Sequence, residues 1–448
     1  MKRYLIVLII LIIALPNFAQ KKLTLQEAIT IALQRNSSLI KLKYNLESSQ
    51  TSLKNAWGQL LPSLGATGTF QWNRIDDKGG QQVFYGGIPV QTDASVSDTR
   101  TYGIGIGGNF TLFDGLSNIA TISQKQDNLK SNEYSITKQK QNIVFQTTDY
   151  YYSVLNADSL RNVREGNVKY FTRFLETVQE KNRLGAVTLA DVYSAQTNLG
   201  TAELALIQAQ NTYESSLAAF LNYLALNVLE DYTLVDPIAN NSIVDTDIYM
   251  KDFESMQAMV SAAMDNRFDY KSQQLTVSAA ESGITIARSG VLPSLTGNYS
   301  YNTQAAATDL LFNRKSYYVG LTLSLPIFSN FATENQIQFA QTSMKSAKED
   351  LYALERSIKI EIKQTYLDLV AAKKSLDVAV KNAEYAKETQ RINQERYNLG
   401  SATLLEVLQA NRDYTDALTS KINAVYNFYR QHDKLNNAIG RLDFSKFE

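Results

Sequence analysis

Few residues of this 448-residue chain are equipped for chemistry. It has one histidine, His432, and no cysteine. A single imidazole cannot build a multi-histidine metal cluster. Without thiols there is no disulfide, thiol nucleophile, iron–sulfur cluster or cysteine-based zinc site. No Walker A, HExxH or GxSxG motif occurs. Gly103, Gly105 and Gly108 have the spacing of a dinucleotide loop, but that motif needs a strand before it and a helix directly after it. Here the glycines fall inside a predicted strand. Asp76 and Asp77 sit in a polar stretch that reads as a solvated acidic turn. What repeats is a different pattern: Thr188 is followed three residues later by Asp191, and Thr403 by Glu406. That spacing closes a capping box, which orients the start of a helix rather than turning over a substrate. The residues therefore predict no catalytic constellation, no cofactor and no metal.

Charge and targeting narrow the class further. Lys plus Arg and Asp plus Glu each total 44, so no basic field is available to attract nucleic acid. Lys2 and Arg3 precede an apolar run of 12 residues, Tyr4 to Leu15, and Pro16 to Gln20 carries the small Ala19 as a cleavage point. Residues 1–19 are thus expected to be a signal peptide, because the run falls short of the ~20 residues of a spanning helix. Cleavage after Ala19 would leave 42 basic and 44 acidic residues, a net charge of about −2. The mature chain offers no cysteine for a lipid anchor. It also has no later apolar stretch of spanning length, so membrane residence would have to use β-strands.

The chain reads as two copies of one unit. Leu61-Pro62-Ser63-Leu64 recurs as Leu292-Pro293-Ser294-Leu295, and Ala28 to Leu39 resembles Ala258 to Asp269. A single offset of 215 aligns Phe113–Leu184 with Phe328–Leu399 without gaps, pairing Tyr151 with Tyr366, Tyr170 with Tyr385, and Gln179-Glu180 with Gln394-Glu395. A duplication is the economical explanation.

Each copy carries two segments of period two. Leu64, Ala66, Gly68, Phe70 and Trp72 alternate with Gly65, Thr67, Thr69, Gln71 and Asn73, while Tyr102, Ile104, Ile106, Gly108, Phe110 and Leu112 alternate with Gly103, Gly105, Gly107, Asn109 and Thr111. In the second copy Leu295, Gly297, Tyr299 and Tyr301, then Tyr317, Val319, Leu321, Leu323 and Leu325, form the apolar rows. Segments of roughly ten residues with this alternation suit the wall of an outer-membrane barrel, although a half-buried soluble sheet has the same pattern. Arg74–Thr101 and Thr303–Lys315 are expected to be exposed polar loops.

After Asp114 and Ser329, which are expected N-caps, about 70 residues follow with no proline, or roughly 105 Å of helix at 1.5 Å per residue. Leu184-Gly185 and Leu399-Gly400 end these helices, and Thr188 and Thr403 start return helices reaching about Leu226 and Ile439. Single helices from about Thr24 to Leu61 and from about Met256 to Val291 are expected to cover the remaining length. The predicted organisation is a first repeat over 20–228 with strands about 63–73 and 102–113, a connecting or equatorial segment over 229–257, a second repeat over 258–440 with strands about 293–303 and 316–328, and a tail over 441–448.

Together the signal peptide, duplicated halves, strand pairs set between helices and Leu-Gly-x-x-Thr-Leu turns resemble the TolC family of outer-membrane efflux proteins over essentially the whole mature chain. The resemblance implies a mixed α and β fold: long α-helical coiled-coil hairpins forming a periplasmic barrel, and a transmembrane β-barrel with four strands per chain, closed only as a twelve-stranded homotrimer. It implies a passive exit duct in the outer membrane of a Gram-negative bacterium, serving a tripartite efflux pump or type I secretion through a periplasmic adaptor and an inner-membrane transporter. The alternative is a poreless periplasmic coiled-coil protein or adhesin, which leaves the strands unused. Leu184, Gly185, Ala186, Val187 and Thr188, with Leu399, Gly400, Ser401, Ala402 and Thr403, then become the periplasmic tip that meets the adaptor. Asp191 falls on the family's latch aspartate, Tyr397 on its tyrosine partner, and Glu406 on an acid of the pore-narrowing ring. The latch arginine would align with Ala402 and the second ring acid with Gln409, so both devices are incomplete. Asp191 and Glu406 can thus be caps, gate residues, or both.

Overall fold

The offset of 215 that aligns the two halves of the sequence also relates their elements. The computed structural model describes residues 21–237, 246–251, 253 and 255–447. The expected signal peptide lies outside them, as do 238–245 of the connecting segment and Glu448. In chain order the elements are β1 (Lys21–Leu23), α1 (Leu25–Arg35), α2 (Ser37–Gly58), β2 (Gly65–Asp77), β3 (Gln82–Tyr85), β4 (Ile88–Gln91), β5 (Ser95–Asp114), α3 (Ser117–Arg183), α4 (Leu189–Tyr223), β6 (Tyr232–Leu234), α5 (Thr246–Lys251), α6 (Met256–Asn266), α7 (Phe268–Arg288), β7 (Ser294–Ala305), β8 (Lys315–Ser324), α8 (Ala332–Asn398) and α9 (Leu404–Ile439). The helices α3 and α8 have 67 residues each and start and stop at positions exactly one offset apart. The fold divides into two units, one made of Asn45–Glu133 with Ser272–Leu351, the other of Met1–Tyr44, Tyr134–Lys271 and Tyr352–Glu448.

The first unit holds an antiparallel sheet of order β2-β5-β7-β8. Its register keeps the two faces apart. Ala66, Ile106, Tyr301 and Tyr317 lie in one row across all four strands, and Thr67, Gly105, Asn302 and Ser316 in the next. Opposed residues share a face, so one face is apolar and aromatic and the other carries hydroxyls, amides and glycines. Ring pairs Phe70–Tyr102 and Tyr301–Tyr317, with centroids 5.0 and 5.1 Å apart, line the apolar face. On the other, a Cβ added to Gly105 would strike the side chains of Asn302 and Thr67. Among the described residues no helix is long and apolar enough to cross a membrane.

Four expectations are corrected here. The first loop is largely a ribbon: β2 runs on to Asp77, β5 already begins at Ser95, and β3 pairs with β4 between them. Ile75 and Val96, paired with Ser97 and Asp76, carry the ladder through a stretch that looks polar on average. At the other end of β5 the register slips between Thr111 and Phe113, so Leu112 is a bulge and Phe113 takes its place opposite Leu295. β8 stops at Ser324, short of Pro326, which has no N–H to give the ladder. Finally, Asp114 and Ser329 are not the caps proper. Each is followed by two left-handed residues, Gly115 and Leu116 or Asn330 and Phe331, before the helix begins. Both side chains reach over this turn to accept the amides of Asn118 at 2.8 Å and Thr333 at 3.4 Å.

In the second unit α8 buries Ile358, Ile362, Thr365, Leu369, Ala372, Leu376, Ala379 and Ala383. This strict alternation of four and three is the 3.5-residue period of a left-handed supercoil. The expected single helices at the start of each repeat are broken. Asn36 and Arg267 adopt extended backbone, and the Asn36 carboxamide accepts the amides of Ser38 and Leu39, starting α2 afresh. Arg267 is buried at the second break, held by Asp269 at 2.7 Å and Glu361 at 2.6 Å and donating to the Ala438 carbonyl. In the connecting segment β6 pairs in parallel with β1, and the Tyr151 hydroxyl lies 3.0 and 2.6 Å from the Leu23 and Val235 carbonyls.

Candidate functional site

The two hairpin tips are built by the same local chemistry. Gly185 and Gly400 have φ of +74° and +77°, a left-handed conformation that lets a helix end and the chain reverse. The amides of Gly185 and Ala186 then bond back to the carbonyls of Asn182 and Lys181 at 2.9 and 2.8 Å, and those of Gly400 and Ser401 to Tyr397 and Arg396 at 3.1 and 2.8 Å. This double closure is a Schellman turn, which satisfies carbonyls otherwise left open at a helix end. The Asn182 carboxamide braces the first turn through the Val187 carbonyl, and the Arg396 guanidinium braces the second through that of Ser401.

Both return helices open with the capping box read from the sequence. The Asp191 carboxylate accepts from the Thr188 amide at 2.9 Å and its hydroxyl at 2.8 Å, while Thr188 Oγ1 accepts the Asp191 amide. Glu406 does the same for Thr403 at 2.6 and 2.9 Å. The Thr403 bonds hold the Glu406 carboxyl below its ordinary value. Arg396 adds an ion pair to Glu406 at 3.7 Å.

Between the hairpins lies an apolar core of Phe171, Phe174 and Val178 from α3, Val192, Ala195 and Ala202 from α4, Tyr397 from α8 and Val407 from α9. Tyr397 is its polar exception. Its ring packs 5.6 Å from Phe174, and its hydroxyl is buried without a hydrogen-bond partner. Burial, and secondarily the charge of Asp191, push the phenol up from its ordinary value. Val187 and Ala402 lean on this core, whereas Leu184 and Leu399 are exposed to 67 and 84%. The tip thus presents two projecting leucines on rigid turns. Lys181 was not singled out from the sequence: it lies 3.9 Å over the Tyr397 ring and donates to the Tyr397 carbonyl at 2.7 Å. An aromatic 216 positions away leaves no local signal for such a contact.

The sequence profile described as outer membrane efflux protein matches residues 28–225 and 259–441. The chain belongs to this family. The family's signature covers both repeats and therefore both tips. Outer membrane protein TolC of Vibrio cholerae is 22% identical over 432 residues, spanning 93% of this chain and 91% of that protein. The fold is shared with the outer membrane channel CmeC of Campylobacter jejuni, at TM-score 0.79 and 18% identity over 94% of this chain and 88% of that one. It is also shared with the outer membrane protein VceC of Vibrio cholerae, at TM-score 0.78 and 17% identity over 93 and 96%. This outer membrane efflux protein is a passive exit duct for efflux or secretion and not an enzyme. The reading as a poreless coiled coil gains no support.

Proposed function

We propose that three copies of this chain close one twelve-stranded barrel in the outer membrane, that their helices extend into the periplasm, and that the hairpin tips receive a periplasmic adaptor linked to an inner-membrane transporter. The observation that carries the reading is the sheet. Its outer strands β2 and β8 are both edges, and open edges are not tolerated in lipid, nor do four strands reach the minimum of about eight for closure. Adding copies edge to edge keeps every pair antiparallel and keeps the apolar rows on one side.

At the tips, Leu184, Gly185, Ala186, Val187 and Thr188 with Leu399, Gly400, Ser401, Ala402 and Thr403 are the proposed docking surface. Leu184 and Leu399 supply apolar contact, and the glycines supply close approach. Asp191, Tyr397 and Glu406 are the proposed gate. Three Glu406 carboxylates per trimer would favour cations at a constriction. A buried phenol without a partner, under the influence of the Asp191 charge, supports a switchable pairing of those two residues.

Photo-cross-linkers placed at Leu184 and Leu399 in intact cells test the docking surface. Capture of one periplasmic protein from both sites, and not from exposed Tyr44 on α2, is the expected result. Equal capture from all three sites would remove the claim. For the gate, Asp191→Asn with Tyr397→Phe should raise resting conductance, and an unaltered single-channel record would eliminate it while leaving the duct intact.

A further inference from the structure

We propose that α8 of one chain packs against the α3–α4 hairpin of the next, with Tyr385 on α8 donating a hydrogen bond to Gln179 of the partner subunit on α3. This rests on the trimer reading above and assigns the helical seam between its copies.

The argument comes from the duplication. A contact between the two repeats has equivalent positions, one offset away, that a single chain can bring together only with another copy, and two side-chain pairs keep their chemistry under this exchange. Within the chain, Tyr170 on α3 donates to Gln394 Oε1 on α8 at 2.6 Å, and Asn411 on α9 donates to Asn167 on α3 at 2.9 Å. The counterparts of the first pair are Tyr385 and Gln179, the same two residue types. Those of the second are Asn382 and Gln196, again two carboxamides. All four are exposed in the single chain, Tyr385 to 67%.

The apolar faces tell the same story. Phe145, Tyr152 and Val163 of α3 are half-buried or buried, but their counterparts on α8, Ile360, Leu367 and Val378, are exposed to 57, 54 and 58%. Leu404, Leu408 and Ile422 of α9 are half-buried, whereas their α4 counterparts Leu189, Tyr193 and Ile207 are exposed to 56, 59 and 60%. Two open faces therefore remain, each with the apolar positions of a face that is covered elsewhere in the same chain. A second copy is the occupant whose chemistry fits both. Because the two faces differ, the contact is head to tail and must close into a ring to avoid open-ended growth. Three chains give six alternating seams, three within chains and three between them.

The absence of native cysteine makes the test direct. In purified trimer, Tyr385→Cys with Gln179→Cys should be linked by a short bismaleimide into a covalent trimer on a denaturing gel. Tyr170→Cys with Gln394→Cys, treated identically, should react without gaining a chain. Failure of the first pair to link chains in a preparation that is trimeric by native mass would overturn the pairing and leave the trimer standing. A cysteine-free parent that is not trimeric would overturn both.

Discussion

The two hairpins share a backbone and differ in what fills it. Each has a 67-residue helix, a left-handed glycine, a Schellman turn and a threonine that starts the return helix. Yet Phe171, Phe174 and Val178 of the first correspond to Ala386, Thr389 and Asn393 of the second, and Tyr397 corresponds to Asn182. The reversal is encoded by a few local residues, so side-chain volume elsewhere is free to diverge. Here divergence has concentrated aromatic packing near the tip at the junction inside the chain and placed Ala386, Thr389, Asn393 and Asn182 at the equivalent positions of the other junction. With the head-to-tail pairing proposed above, the tip yields between subunits before it yields within one.

The strongest test of this contrast is truncation at equivalent positions. Phe174→Ala should lower the local stability of the first hairpin by about 3 to 5 kcal/mol, since the ring is 3% exposed and leaves a cavity. Thr389→Ala should stay within about 0.5 kcal/mol, as for a surface site. Amide exchange near each tip reads both values, and equal effects would erase the contrast. The turns themselves should behave alike. Gly185→Val and Gly400→Val should each cost roughly 1 to 2 kcal/mol from the left-handed backbone alone, because a Cβ at either site meets nothing within 4 Å. A much larger loss at one of them would reveal a neighbour that the other lacks.

Smaller effects sharpen the caps. Thr188→Ala and Thr403→Ala should each cost about 1 kcal/mol, seen as faster exchange of the first amides of α4 and α9. The second cap should also be acid-sensitive. Glu406 has a carboxyl held below its ordinary value by Thr403, so its contribution is present above the unfolded-state pKa and lost as pH falls through the folded-state pKa. Protection of the Val407 amide should therefore persist at neutral pH and decline in acid. Glu406→Gln should flatten that profile, and an unchanged profile would separate the carboxylate from the cap.

Much of this was legible in the sequence because it is local or periodic. The glycine turns, the capping boxes and the alternating rows follow from residue types at short spacing, and the offset of 215 announces the duplication. What was not legible depends on partners far along the chain. The bulge at Leu112 exists only against β7. The buried Arg267 needs Glu361 and Ala438 around it. Asn36 looked like one polar residue in a helix until its carboxamide was seen to start another. The tip residues could be placed from sequence, but the surroundings of Tyr397 could not, because Lys181 and Phe174 come from the other repeat.

The central claim is that this chain forms a duct. Purified trimer reconstituted into a planar bilayer should give stepwise, ohmic conductance of uniform size with a preference for cations. Folded trimer that inserts into the bilayer, verified by protection of its strands from protease, and yet leaves the current at baseline would contradict the account.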